Sequence, residues 1–349
     1  MPGRISRRNW MNRSAIAGLA SGLSHFALQA AQSPDSSVIS SFDATPVRIP
    51  FNDSVPREHS AWIVKLQTAT GITGLAETRQ DPRQELERIS SRPIWNYLHR
   101  NLNGVECAIY DIAAQIAGLP LARLLSSTAR TRLPVGRRHF SLKNLKEELE
   151  GGKSQGVNTH VVTFDGLRHL YAVDLSDGQL VIDGQEDLGG VAGALKSIEN
   201  VRERFPVAAV LDPLRQTDLM AYRELRRRLP ERLVLRWNPA HARNFLMEAL
   251  ADAFLVNPFS LYSSEAGICE LANLGSWLEV LPNSGILSAY RLHQAAAVPF
   301  LELVIMPEQS AERVVLDFPA ISSGVIELRE RPGLGIKLDE AAIQRFKSS

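Results

Sequence analysis

The oxygen-bearing side chains with most chemical potential in this sequence sit at the ends of short apolar runs. Asp183 closes Leu180-Val181-Ile182, Asp212 follows Leu211, and Asn238 follows Leu235-Arg236-Trp237. If these runs are strands of one closed barrel, all three residues fall at strand C-termini, where barrels carry their chemistry. A strand-end Asp that merely caps a turn is the competing reading of Asp183. Other reactive types are poorly placed. Cys107 and Cys269 lie in unrelated apolar stretches without disulfide or metal-type spacing, so buried free thiols are expected. His293 falls mid-helix in Arg291-Leu292-His293-Gln294, which suits a structural role.

The elements that must position these residues are legible as two patterns. Residues 46–77 alternate with a period of two, with Gly-bearing turns at Gly71 and Gly74, and predict an antiparallel meander. Val105, Ala108, Ile109, Ile112, Ala113 and Ile116 then recur at helical spacing, and Gly118-Leu119-Pro120 stops that helix. From about residue 133, apolar strands alternate with amphipathic helices. Strands are expected at 133–135, 160–163, 180–182, 207–211, 233–237, 253–256, 278–281 and 300–305. Helices are expected at 142–150, 191–204, 219–229, 242–250, 265–274 and 287–297. Repeated strand–helix units with near-continuous apolar strands imply a parallel sheet covered by helices, and eight strands fit a closed barrel. The fold class is therefore α/β, a (β/α)7β-type barrel with a small α+β N-terminal capping domain. No Gly-rich phosphate loop follows the first strand, which argues against a doubly wound nucleotide-binding sheet.

Composition bounds the partners. The 349 residues, 44% hydrophobic, can bury a large core, and a formal net charge of +1 gives no electrostatic case for nucleic acid. Arg4, Arg7, Arg8 and Arg13 precede an apolar stretch from Ala15 to Ala31, the pattern of a secretory signal. Ser6-Arg7-Arg8-Asn9-Trp10 resembles a twin-arginine signal, so an exported, periplasmic protein is expected. The stretch is too short and polar for a stable membrane anchor. Residues 1–31 thus read as signal, 32–45 as polar linker, 46–120 as a shortened cap, 121–325 as barrel, and 326–349 as a return to the cap.

Two end motifs carry a family resemblance. Residues 103–120, with Val105-Glu106-Cys107-Ala108-Ile109-Tyr110-Asp111-Ile112-Ala113 at their centre, look like the end of the capping domain in the enolase superfamily, of mandelate racemase and muconate lactonizing type. Arg331-Pro332-Gly333-Leu334-Gly335-Ile336-Lys337-Leu338-Asp339 is similar to the closing motif of the same group. Leu211-Asp212-Pro213-Leu214 and Glu265-Ala266 fit between them at barrel-like spacing. The resemblance implies a lyase, isomerase or racemase acting on a small carboxylate of acid-sugar or muconate type. It also implies homo-oligomers as the common assembly. Removing a proton α to a carboxylate leaves an enediolate, which Mg²⁺ held by strand-end oxygens would neutralise while a Lys or His takes the proton.

Laid on that pattern, the metal positions fall on Asp183, Asp212 and Asn238. The second position itself holds Leu211, and by strand alternation Asp212 should point away if Leu211 points in. The base positions hold Val161 and Thr163 on the second barrel strand and Asn257 on the sixth, and none of these accepts a proton at neutral pH. Asn283 stands where the pattern often has an acid. His160, Arg236 and Lys153 are the remaining candidate bases. His160 should face away from the lysine position, and Arg236 suits anion binding better than proton abstraction. Residues 165–177 are also too few for a full crossover helix. Three readings stay open: a Mg²⁺-dependent lyase or isomerase, a non-catalytic barrel binding a small carboxylate or sugar or acting as a partner subunit, and a barrel with unrelated chemistry.

Overall fold

The computed structural model describes residues 34–50, 58–98, 100–139, 145–164, 178–256, 264–307 and 313–348. The expected signal segment, the short connection at 165–177 and the base position Asn257 lie outside the described residues.

Three strands, β1 (Ile39–Pro50), β2 (Glu58–Thr68) and β3 (Thr73–Thr78), form an antiparallel sheet in sequential order. Strand β1 begins inside the segment expected to be a linker. Its Ser-rich start hid the alternation, yet Ile39 is fully buried and pairs with Thr68, which fixes residues 39–45 in the cap. A short helix α1 (Arg83–Ile89) and the longer α2 (Glu106–Ile116) complete the unit. Helix α2 presses on β3 at Gly74, where a Cβ would lie 2.2 Å from the Ala108 carbonyl oxygen. Only a glycine admits that approach.

After α3 (Leu121–Leu125) come eight parallel strands in sequential order, β4 (Arg132–Arg138), β5 (Thr159–Thr163), β6 (Gln179–Asp183), β7 (Val207–Leu211), β8 (Arg232–Arg236), β9 (Ala253–Val256), β10 (Gly275–Glu279) and β11 (Leu301–Pro307). Pairing of β11 with β4 closes the barrel. Six described helices cover it: α4 (Leu145–Ser154), α5 (Gly190–Arg202), α6 (Leu219–Arg228), α7 (Ala242–Met247), α8 (Ser264–Leu271) and α9 (Ile286–Ala297). Alternation divides each strand between two cores. Val161, Val181, Leu211, Val234, Leu255, Trp277 and Ile305 fill the barrel interior. Val162, Ile182, Val210, Leu235 and Phe254 pack outward with the helices. Each buried aliphatic side chain contributes about 1.5–3 kcal/mol, so this double core is the main source of stability.

The two motifs at the ends of the chain meet. Asp111 of α2 accepts hydrogen bonds from Leu75 N (2.9 Å) in β3 and from Leu334 N (2.8 Å) in the C-terminal tail. Gly333 sits beside it with φ +72°, and Leu121 N donates to the Gly333 carbonyl at 2.9 Å. After the hairpin of β12 (Ile321–Ser322) and β13 (Val325–Glu327) on the outer edge of β4, the chain ends in α10 (Glu340–Phe346) against β1. Gly333→Ala places a Cβ 2.1 Å from Asp111 Oδ1, on a backbone that disfavours it. A loss of roughly 1–3 kcal/mol in urea unfolding is expected, and an unchanged midpoint would show that the tail does not clasp the cap.

Candidate functional site

Side chains two residues beyond the apolar interior of alternate strands form the barrel's uppermost layer, as parallel barrels build their interiors four residues at a time. Here that layer is ionic. Arg138 comes from β4, Asp183 from β6, Arg236 from β8 and Glu279 from β10, so the charges alternate in sign around the mouth. Arg138 Nη1 donates to Asp183 Oδ2 at 2.7 Å, and its Nε donates to Glu279. Arg236 Nη2 donates to the same Asp183 Oδ2 at 2.7 Å. Asp183 is 1% exposed and Arg138 4%, so the contact between them is made away from water, while Arg236 reaches Asp183 from the open side of the mouth.

Asp212 joins the layer from below the pattern. Leu211 points into the barrel as expected, and strict alternation would send Asp212 outward. Instead its backbone enters the left-handed region, φ +41°, and swings the carboxylate to Arg236. Oδ2 accepts from Arg236 Nη1 at 2.7 Å, while Oδ1 accepts from Arg236 N at 2.9 Å and Gln216 Nε2 at 3.1 Å. The expectation that Asp212 would point away is corrected by that one positive φ.

These partners set the charge states. Burial alone would raise the Asp183 carboxyl, but the hydrogen bond and charge of Arg236, with those of Arg138, hold it below the ordinary value. For the fully buried Asp212, burial outweighs the opposing pull of Arg236 and Gln216, and its pKa is raised. Burial disfavours the Arg236 cation, yet Asp183, Asp212 and Glu279 together raise its pKa further from any proton-accepting role.

The expected metal and base residues can now be placed. Asp183 and Asp212 do converge, on a guanidinium. Asn238 does not join them: its Oδ1 accepts from Ala240 N at 3.1 Å, and its carbonyl accepts from His241 N and Ala242 N at the start of α7. It is a turn residue, because the side chain that β8 sends inward is Arg236, two positions earlier. Among the described residues no three His, Cys, Asp or Glu side chains are grouped to hold a metal ion. Hard-oxygen coordination by Mg²⁺ needs ligands at about 2.0–2.1 Å in an octahedron, and here guanidinium nitrogens fill the space between the two acids. The residues present do not fit the ion.

Val161 is buried in the interior core, and Thr163 lies two residues above it beside Asp183 in the strand register. His160 faces the helix layer, as expected, with Gly152 of α4 close to its ring and its Nδ1 3.1 Å from His139 Nε2. Its pKa is pushed down to about 4 by burial and by the charges of His139 and Arg137. Lys153 is an exposed residue of α4. Asn283 uses its Oδ1 to accept from Gly285 N, Ser288 N and Ser288 Oγ at the start of α9. Beside it Ser284 and Leu287 donate to Glu77 of the cap, whose Oε1 lies 2.6 Å from His59 Nε2. That buried carboxylate pins the cap over the mouth.

The architecture is thus an eight-stranded parallel barrel with an N-terminal antiparallel cap. Residues 167–342 match the family described as Enolase C-terminal domain-like, and the chain belongs to that family. It is similar in structure to the muconate lactonizing enzyme from Pseudomonas fluorescens complexed with muconolactone, with a TM-score of 0.73 at 18% identity over 90% of this chain and 100% of that one. Similarity extends to the muconate lactonizing enzyme from Pseudomonas putida (TM-score 0.71, 15% identity, 89% and 100% covered). It extends also to the 3,6-anhydro-D-galactonate cycloisomerase from Zobellia galactanivorans (0.71, 15%, 90% and 100%). At such identities the likeness is one of fold. No curated protein sequence matches the chain significantly.

A buried acid held below its ordinary pKa adds stability above that ordinary value, about pH 4, and the addition is lost as pH falls through the folded-state value. Asp183→Asn should therefore cost about 3–5 kcal/mol at pH 7, since it strips two guanidiniums of their shared partner. The variant's stability should also fall less steeply than the wild type's below about pH 4. Equal acid slopes would assign that dependence to other groups.

Proposed function

We propose that this chain is a barrel that binds a small carboxylate or acid-sugar anion at its mouth and does not carry out metal-assisted α-proton abstraction. The observation that carries the reading is Arg236, whose two terminal nitrogens each lie 2.7 Å from a carboxylate oxygen, of Asp183 and of Asp212. With both acids engaged, no hard-oxygen pair is left open for a cation among the described residues. On the second strand Val161 and Thr163 offer no base, and His160 faces the helices.

Anion recognition is supported by unspent donor capacity. Arg138 Nη2 is buried and has no hydrogen-bond partner among the described residues, and a buried donor left unpaired costs about 1–3 kcal/mol. Arg236 keeps 39% of its side chain exposed. A guanidinium offers paired donors in one plane, the shape that a carboxylate matches. Relatives of the same fold are named for muconate and for 3,6-anhydro-D-galactonate, both carboxylates.

Thermal unfolding with a panel of dicarboxylates and aldonates tests this. At least one is expected to raise the melting temperature by several degrees at millimolar concentration, whereas millimolar Mg²⁺ leaves it unchanged. Proton NMR in D₂O should show no deuterium entering the α position of any of them. Mg²⁺-dependent exchange would restore the lyase or isomerase reading, and a panel without a single stabilising carboxylate would sink the binding one.

We also propose export, from the basic and apolar pattern of residues 1–31. Arg7→Lys with Arg8→Lys should hold the full chain in the cytoplasmic fraction, and unchanged fractionation would remove the twin-arginine reading.

A further inference from the structure

We propose that Arg313 and Arg137 form an anion subsite on the outer side of the barrel, which takes a doubly charged oxyanion, phosphate or a phosphate monoester. The subsite shares no residue with the ionic layer at the mouth, so it can fail without touching the carboxylate reading, and the reverse.

Three observations carry it. The first is position. Strand β11 lies beside β4, with Met306 opposite Arg137 and Pro307 opposite Arg138. Arg138 turns into the barrel, so its strand neighbour Arg137 turns outward. There it lies close to Gly152 of α4, and its Nη2 donates to Gln155 Oε1 at 2.5 Å. Arg313 belongs to the chain that follows β11. Val314 N donates to the Ser284 carbonyl at 3.1 Å, which seats Arg313 against Gly285 in the loop after β10. Loops after the seventh and eighth strands are where parallel barrels often hold phosphate groups.

The second is the state of the Arg313 donors. Its guanidinium carbon lies 3.9 Å from the centroid of the Phe318 ring. A ring beneath a guanidinium covers its face and leaves its N–H donors in the plane open to another partner. The side chain is half-buried, yet among the described residues it makes no hydrogen bond and no ion pair. Phosphate oxygens match such a fork two at a time.

The third is charge. Burial and the charge of Arg137 together push the Arg313 pKa down to about 10. The charge of Arg137, with burial and His139, also acts on His160 of the next strand. Among the described residues no carboxylate offsets this field at either group. Arg138 and Arg236, by contrast, each face two carboxylates. Attraction to Phe318 returns little at a half-exposed site, whereas a desolvated cation facing another cation is costly. One dianion matches the two guanidinium charges.

Thermal unfolding and calorimetric titration of the full chain test the subsite at about pH 8, where phosphate is chiefly the dianion. Inorganic phosphate and glycerol phosphate are set against chloride of equal ionic strength. Wild type should gain several degrees in millimolar phosphate and bind it saturably. Arg313→Met, which keeps the contact with Phe318 but not the charge, should show neither. In chloride this variant should melt no lower than wild type, since it removes a cation that no neighbouring acid neutralises. A purely structural Arg313 would instead make it melt lower. Arg313→Gln provides a second variant and should behave alike. Equal effects of both phosphates assign the site to free phosphate, and an effect of the ester alone assigns it to a phosphorylated ligand. Absence of saturable binding by wild type would overturn the proposal. So would undiminished binding by either variant, or two variants that melt well below wild type in chloride.

Discussion

The constraint on which the rest of this structure depends is electroneutrality at the closed end of a barrel. Eight strands carry an apolar interior almost to their C-termini, and the last inward layer must end in polar side chains somewhere. Here it ends in Arg138, Asp183, Arg236 and Glu279, which pair with one another around the ring. Ion pairs this well buried recover their desolvation cost only with near-ideal geometry and satisfied remaining donors. The additional bonds from Gln185 N to Asp183 and from Gln216 to Asp212 supply much of that satisfaction. The ring therefore fixes the strand ends and the turn after β7 together.

A second joint, independent of the first, fixes the cap over the barrel. Glu77, at the end of the cap's third strand, takes the place of a helix N-cap for the barrel's last covering helix, accepting from Ser284 and Leu287. Burial would raise its pKa, but His59 and Ser284 reverse this and hold it ionised. Ile286 and Tyr290 of the same helix belong to the cap's own apolar core. Cap and barrel share a core here instead of meeting at a polar seam.

Much of this was legible in the sequence, and the failures have identifiable causes. The eight barrel strands follow from apolar runs, because interior and helix-facing positions are both apolar and leave a continuous signal. Alternation placed Val161 inward and His160 outward. It misplaced Asp212, since a single left-handed residue breaks the period and no glycine or asparagine marks the spot. Asn238 drew attention as an oxygen donor at a strand end, while the residue that acts from that strand is Arg236. Arg138 and Glu279 went unread as members of the layer because the strand before each was ended early or carried past it. A charged residue two positions beyond an inward apolar one, on several strands at once, is the signal that would have found them. The start of β1 was missed because Ile39-Ser40-Ser41 reads as a turn cluster, although the opposite strand buries it.

The return of the tail to the cap has a consequence for the order in which this molecule can be built. Helix α10 packs on β1, Ser348 N donates to the Pro46 carbonyl, and Lys65 pairs with Glu340, so the first sheet is completed by residues that lie beyond the barrel, Glu340 being 275 positions after Lys65. A ribosome adding roughly 5–20 residues each second needs many seconds to make the intervening barrel, and through that time β1 lacks its final neighbour. Loop closure over so long a separation is slow in itself. The cap sheet must wait, with one face incomplete, until α10 has been made.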